Sequence, residues 1–154
     1  MGQQDAQPAA VPTTQRKLQS ILLVDDEASF RMLLRLALKQ MPYQLFEAGS
    51  GQQALTLLRT LKPEVILLDI CMPGIDGITL LRQIRETNQT SAIFMTSGLC
   101  TKEWIDAATA AGATGYLTKP FHFSDLQQTL NRLSNPHLSN PHLSNPHLSN
   151  TGQK

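Results

Sequence analysis

The run Val65-Ile66-Leu67-Leu68-Asp69 is apolar at four consecutive positions and then ends in a carboxylate. Pro63 precedes it and Pro73-Gly74 follows it, so the run is too short and too sharply bounded for a helix. A strand without polar alternation is buried on both faces, which requires helices on both sides of a parallel sheet. A second run, Ile21-Leu22-Leu23-Val24, ends the same way, in Asp25 and Asp26. The C-terminal edge of an open parallel sheet is where ligands bind. Two such strands side by side would place three acids in one crevice.

The rest of the chain supplies the helices. Phe30, Leu33, Leu34, Ala37, Leu38 and Met41 recur at helical spacing and predict a first helix with one apolar stripe, stopped by Pro42. Arg31, Arg35 and Lys39 lie four apart on another face, either as a solvated surface, which is the favoured reading, or as a docking surface for an acidic partner. Tyr43 to Ala48 reads as a short edge strand. Ser50 is placed to cap a second helix, whose inward face is Ala54, Leu57, Leu58 and Leu61. After the central strand, Asp76 can cap a third helix over about 77–87, with Ile78, Leu81 and Ile84 inward. Ala92 to Thr96 is a fourth strand. A fourth helix over about 102–111 carries Trp104, Ala107, Ala108 and Ala111, and Gly112 stands where a C-terminal glycine cap belongs. Gly115 to Thr118 is a fifth strand. Ser124 or Asp125 opens a fifth helix with Leu126, Leu130 and Leu133 on one face.

Five strands alternating with five helices predict an α/β fold with a doubly wound parallel sheet. Right-handed crossovers leave few topologies, and the flavodoxin-like strand order 2-1-3-4-5 puts strands one and three together at the switch point. Asp25, Asp26 and Asp69 should then converge.

Both ends differ from this pattern. Residues 1–18 are rich in Gln, Ala, Pro and Thr without periodicity and read as a disordered lead. From 134 to 154 the chain repeats Asn-Pro-His-Leu-Ser, and proline at every fifth residue excludes a helix interior. His137, His142 and His147 suggest metal binding, but a flexible tail grown by duplication is the favoured reading. The domain proper is expected over 19–133. A net charge of +1 provides no basic excess for nucleic acid. No run is long enough to span a bilayer. Two cysteines, Cys71 and Cys100, make no disulfide framework, and a cytoplasmic location is expected.

Three carboxylates in one crevice repel, by about 4 kcal/mol for a pair ~4 Å apart at an effective dielectric near 20. A hard divalent cation compensates, and Mg²⁺ favours a few carboxylates, waters and phosphate oxygens. The neighbouring strand ends contribute Thr96, whose hydroxyl can donate to a phosphoryl oxygen, and Lys119, whose ammonium can neutralise another. This set suits phosphoryl transfer onto a carboxylate. Asp69 is single and central, while Asp25 and Asp26 are paired and better suited to a metal, so Asp69 is the expected nucleophile.

The pattern Asp25-Asp26-Glu27, Asp69 within Leu-Leu-Asp-Ile-Cys-Met-Pro-Gly-Ile-Asp-Gly, Thr96-Ser97 and Tyr116-Leu117-Thr118-Lys119-Pro120-Phe121 resembles the receiver domain of bacterial two-component response regulators. The resemblance implies that Asp69 is the phosphoacceptor, charged by a histidine kinase or histidine phosphotransfer protein. It implies that Asp26 and Asp69 hold Mg²⁺ directly, that Asp25 acts mostly through water, and that the backbone carbonyl of Cys71 is a further ligand. It implies that Thr96 and Lys119 bind phosphoryl oxygens, that Thr96 and Tyr116 form the switch, and that the Lys119-Pro120 peptide is cis. The resemblance also implies that Cys71 and Gly98 fall at positions that vary within the family and influence how fast the phosphoryl group is lost. Cys71 can also be read as a redox handle, though a small side chain at a variable position is the favoured reading.

Without a DNA-binding module after the receiver, the expectation is a stand-alone, non-enzymatic regulator. Its output would be phospho-dependent contact with a protein target through helix four, strand five and helix five. A phosphorelay intermediate or phosphate sink is the alternative. A Mg²⁺-dependent phosphatase with an Asp nucleophile is disfavoured, because Asp69 follows the third strand and no inserted cap shapes a substrate pocket. Trp104 is open between a core position and a partner anchor.

Overall fold

The computed structural model of the chain describes residues 20–98 and 101–134. The lead over 1–18, Cys100, and the repeats with His137, His142 and His147 lie outside the described residues. The elements run β1 (Ser20–Val24), α1 (Ala28–Leu38), β2 (Gln44–Ala48), α2 (Gly51–Leu58), β3 (Val65–Asp69), α3 (Gly77–Thr87), β4 (Ala92–Ser97), α4 (Lys102–Ala110), β5 (Gly115–Thr118) and α5 (Phe123–Ser134). All strand pairs are parallel, in the order β2-β1-β3-β4-β5. This is the flavodoxin-like topology expected from the alternation of elements.

Each strand divides its side chains between two cores, as the two-residue strand period requires. Ile21, Leu23, Val65, Leu67 and Phe94 face Leu34 and Leu38 of α1 and Leu126 and Leu130 of α5. Leu22, Val24, Ile66, Leu68, Ile93 and Met95 face Ala54 of α2, Leu80, Leu81 and Ile84 of α3 and Ala108 of α4. Every residue of β3 is buried, in keeping with its unbroken apolar run.

The helix ends follow from short polar side chains. Ser50 accepts from the Gln53 N–H and starts α2. Asp76 accepts from the N–H groups of Ile78 and Thr79 and from the Thr79 hydroxyl, and starts α3. Gly112 ends α4 at φ +96°, a conformation that favours glycine.

Four expectations are corrected. Leu33 is 62% exposed and does not belong to the inward stripe of α1. At about 100° per residue it lies past the edge of the arc held by Phe30, Leu34, Leu38 and Met41. Arg31 and Arg35 are not merely solvated, because both pair with Glu47 of β2, at 3.6 and 3.2 Å. Helix α5 opens at Phe123, ahead of Ser124, because the Asp125 carboxylate reaches back to the His122 N–H and closes the first turn from inside. Ser134, which the repeat assigned to the tail, closes α5. Trp104 is resolved as a surface residue, 40% exposed, and Ala108 takes the inward position of α4. Among the described residues no helix is long and apolar enough to cross a membrane.

Candidate phosphoryl-acceptor site

Parallel strands bring all their C-terminal ends to one edge of the sheet. Asp25 follows β1, Asp69 ends β3, Thr96 lies next to last in β4, and Lys119 follows β5. Hydrogen bonds carry the ladder past the strand ends: Asp25 N–H to Ala48 O at 3.0 Å, Ile70 N–H to Thr96 O at 3.0 Å, and Lys119 N–H to Ser97 O at 2.7 Å. Asp69 is therefore directly opposite Thr96 in register.

The carboxylates converge as expected. Asp25, Asp26 and Asp69 each present an oxygen, and these oxygens lie within 4.8 Å of one another. Asp25 is fully buried, Asp69 is 6% exposed, and Asp26 faces solvent. The Asp25 carboxylate is held on both oxygens, by the Glu27 N–H at 2.8 Å and by the Lys119 ammonium at 2.5 Å. The same ammonium lies 3.6 Å from Asp69 Oδ1. Burial pushes the Asp69 carboxyl above the ordinary carboxylate range. The Lys119 ammonium and a backbone hydrogen bond at Cys71 oppose that rise, while the charges of Asp25 and Asp26 add to it.

Thr96 has a fully buried hydroxyl with no hydrogen-bond partner among the described residues. A buried polar group without a partner is costly and rare, and it marks a place where an acceptor oxygen would be stabilised. Acid oxygens for a hard cation, an orphan hydroxyl and an ammonium thus surround one carboxylate. This donor set fits Mg²⁺ and a phosphoryl group.

The other singled-out residues take defined places. Tyr116 is half-buried on β5, opposite Met95. Cys71 is exposed just beyond β3. At Gly98 an added Cβ would meet no atom of the described residues within 4 Å. The Lys119-Pro120 peptide is cis.

Three residues that sequence reasoning did not assign to the site belong to its frame. Arg31 donates to the backbone carbonyl of Asp25 at 2.6 Å, which ties α1 to the end of β1. Its spacing with Arg35 and Lys39 disguised it as part of a surface row. Gly77 brings the start of α3 against the acceptor loop, where an added Cβ would lie 2.3 Å from the Asp69 carbonyl oxygen and 2.7 Å from Ile70 Cα. Its signal is a small residue directly after the helix cap Asp76. Phe30 read as core, and only the fold reveals that Lys119 lies 4.1 Å above its ring.

The family described as the response regulator receiver domain matches residues 21–131. The chain is 31% identical over 115 residues to the chemotaxis protein CheY of Thermotoga maritima, an alignment covering 74% of this chain and 96% of that protein. It is 37% identical over 123 residues to the positive alginate biosynthesis regulatory protein of Pseudomonas aeruginosa, covering 77% of this chain but only 48% of the longer relative. Among solved structures it is similar to Vibrio cholerae chemotaxis protein CheY4, with a TM-score of 0.72 at 30% identity, over 75% of this chain and 98% of that one.

Proposed function

The chain belongs to the response regulator receiver domain family, and on that premise we propose that it accepts a phosphoryl group on Asp69 from a histidine kinase or histidine phosphotransfer protein and signals by changed protein contact. The observation that carries this reading is the buried, unpartnered hydroxyl of Thr96, directly opposite Asp69. It is a donor prepared for an oxygen that arrives only with the phosphoryl group.

Asp69 is the nucleophile in this reading. One carboxylate oxygen attacks phosphorus in line with the leaving group. The new O–P bond forms as the donor's N–P or O–P bond breaks, and the bonding electron pair leaves with the imidazole or acyl oxygen. Asp25, Asp26, Asp69 and the Cys71 carbonyl would hold Mg²⁺, which when bound neutralises charge on the acids and on the phosphoryl oxygens. The Lys119 ammonium, already 3.6 Å from Asp69, shifts its allegiance from Asp25 to a phosphoryl oxygen. The Thr96 hydroxyl donates to another.

Moving Thr96 toward Asp69 draws on β4 and frees space beside Tyr116, which lies on β5 opposite Met95, the residue before Thr96. Thr96 and Tyr116 then form the two-state element that carries the signal to α4, β5 and α5. Trp104 and Phe123, 40% and 37% exposed on α4 and α5, give this face its apolar contact groups.

Incubation with Mg²⁺ and acetyl phosphate, followed by intact mass, tests the acceptor. The expected result is a gain of one phosphoryl group in the wild type and none in Asp69→Asn or without Mg²⁺. Unchanged wild-type mass, with phosphohistidine donors as well as acetyl phosphate, would overturn the reading.

A further inference from the structure

We infer that Phe30 is a positioning residue for Lys119: its ring face is the platform on which the ammonium is held, and along which it moves from Asp25 toward a phosphoryl group on Asp69. This inference rests on the function proposed above and adds a residue from outside the acid-hydroxyl-lysine set.

The ammonium has three sides to satisfy. Asp25 Oδ2 takes one at 2.5 Å and Asp69 Oδ1 approaches another at 3.6 Å. Phe30 occupies the third, with its ring centroid 4.1 Å from Lys119 Nζ. That distance is well inside the ~6 Å within which a ring quadrupole attracts a cation. The Lys119 side chain is 18% exposed, so water competes only weakly for this face. Phe30 is itself held edge-to-face by Phe121, with ring centroids 5.7 Å apart and planes at 90°. Phe121 follows the Lys119-Pro120 peptide, so one aromatic pair joins the first turn of α1 to the loop that carries the lysine.

The two kinds of contact respond differently to a shift of the ammonium. The Asp25 contact is short and directional, and it is given up when the charge turns to a phosphoryl oxygen. Attraction to a ring face is broad and tolerates sliding. Phe30 therefore supports Lys119 in both positions while Asp25 supports it in one. An aliphatic side chain of similar size would fill the space beneath the lysine without holding its charge.

Binding of Mg²⁺ with beryllofluoride, a tetrahedral phosphoryl mimic, followed by ¹⁹F NMR, separates these roles. Phe30→Leu is expected to weaken beryllofluoride binding by about 3- to 30-fold, the range that a partly desolvated cation–π contact implies. Phe30→Tyr is expected to retain wild-type affinity. Mono-, di- and trifluorinated phenylalanine at position 30, which drain the ring face while nearly conserving its volume, should give a graded loss; this series decides the matter if Phe30→Leu fails to fold. In the metal-free protein the Lys119 Hε protons should show an upfield ring-current shift that Phe30→Leu removes. Wild-type affinity in both Phe30→Leu and the trifluorinated variant, with weakened binding in Lys119→Ala, would overturn the role of Phe30 and leave the proposed function standing. No beryllofluoride uptake by the wild type would overturn the proposed function, and the role with it.

Discussion

The Lys119 ammonium lies 2.5 Å from the fully buried Asp25 carboxylate, across 94 residues of chain. This pair closes the sheet edge between the first and last strands. Removing the lysine leaves Asp25 buried with its charge unmatched beside two other acids. Lys119→Ala is expected to cost about 2 to 3 kcal/mol, less than the ~3–5 of a fully buried pair because the lysine is partly solvated. Mg²⁺ should restore part of that loss by replacing the missing positive charge. Urea unfolding of both proteins with and without Mg²⁺ measures this directly, and a loss unaffected by Mg²⁺ would contradict it.

Asp69 contributes in the opposite direction. Burial raises its pKa, so its ionised form is a cost to the fold at neutral pH. Asp69→Asn is expected to stabilise the metal-free protein, by on the order of 1 kcal/mol after the lost attraction to Lys119 is subtracted. For a raised carboxyl the cost is absent at low pH, where folded and unfolded chains are both protonated, and develops as pH rises. The advantage of Asp69→Asn should therefore grow from acid toward neutral pH. Melting temperatures of the two proteins across that range provide the check.

Asp76 shows the reverse sign. Its carboxylate accepts from the Thr79 side chain and from the N–H groups of Thr79 and Ile78, and these bonds hold its pKa below the ordinary value. A lowered carboxyl stabilises the fold above its unfolded pKa, and that contribution is lost as pH falls through the folded value. Asp76→Ala should cost about 1 kcal/mol at pH 7, as loss of a helix N-cap does. The gap from wild type should narrow in acid, below the unfolded carboxyl's ordinary range. Urea midpoints at neutral and acidic pH would show it; a gap constant with pH would contradict it.

Gly77 links stability to the site. A Cβ at this position would overlap the Asp69 carbonyl and the Ile70 backbone, neither of which can yield as a flexible side chain does. Gly77→Ala is expected to destabilise by about 1 to 3 kcal/mol, the range for overpacking. It should also slow phosphoryl acceptance beyond what unfolding explains, because the displaced backbone is that of the acceptor. Phosphorylation rates measured well below the melting temperature separate the two effects.

Much of this frame is legible along the chain because local chemistry dictates it. Val65 to Leu68 can only be a doubly covered strand, and the alternation of elements leaves one common strand order that brings Asp25, Asp26 and Asp69 together. Ser50, Asp76 and Gly112 announce the helix ends by their own side chains or lack of one. What periodicity does not carry is the partner of a residue far away. Arg31 and Arg35 look like a solvated row until β2 places Glu47 beside them. Leu33 fits the apolar stripe until the width of the buried arc is known. Phe30 looks like any core aromatic until the last strand delivers Lys119 onto its face.

The most direct test of the central claim is to locate the phosphoryl group chemically. The protein would be phosphorylated with acetyl phosphate and Mg²⁺, reduced with borohydride to convert an aspartyl phosphate to homoserine, and mapped by peptide mass spectrometry. The account predicts homoserine at position 69 and aspartate unchanged at positions 25 and 26. Homoserine at either of those two positions, or none at position 69 in protein that has gained a phosphoryl group, would contradict it.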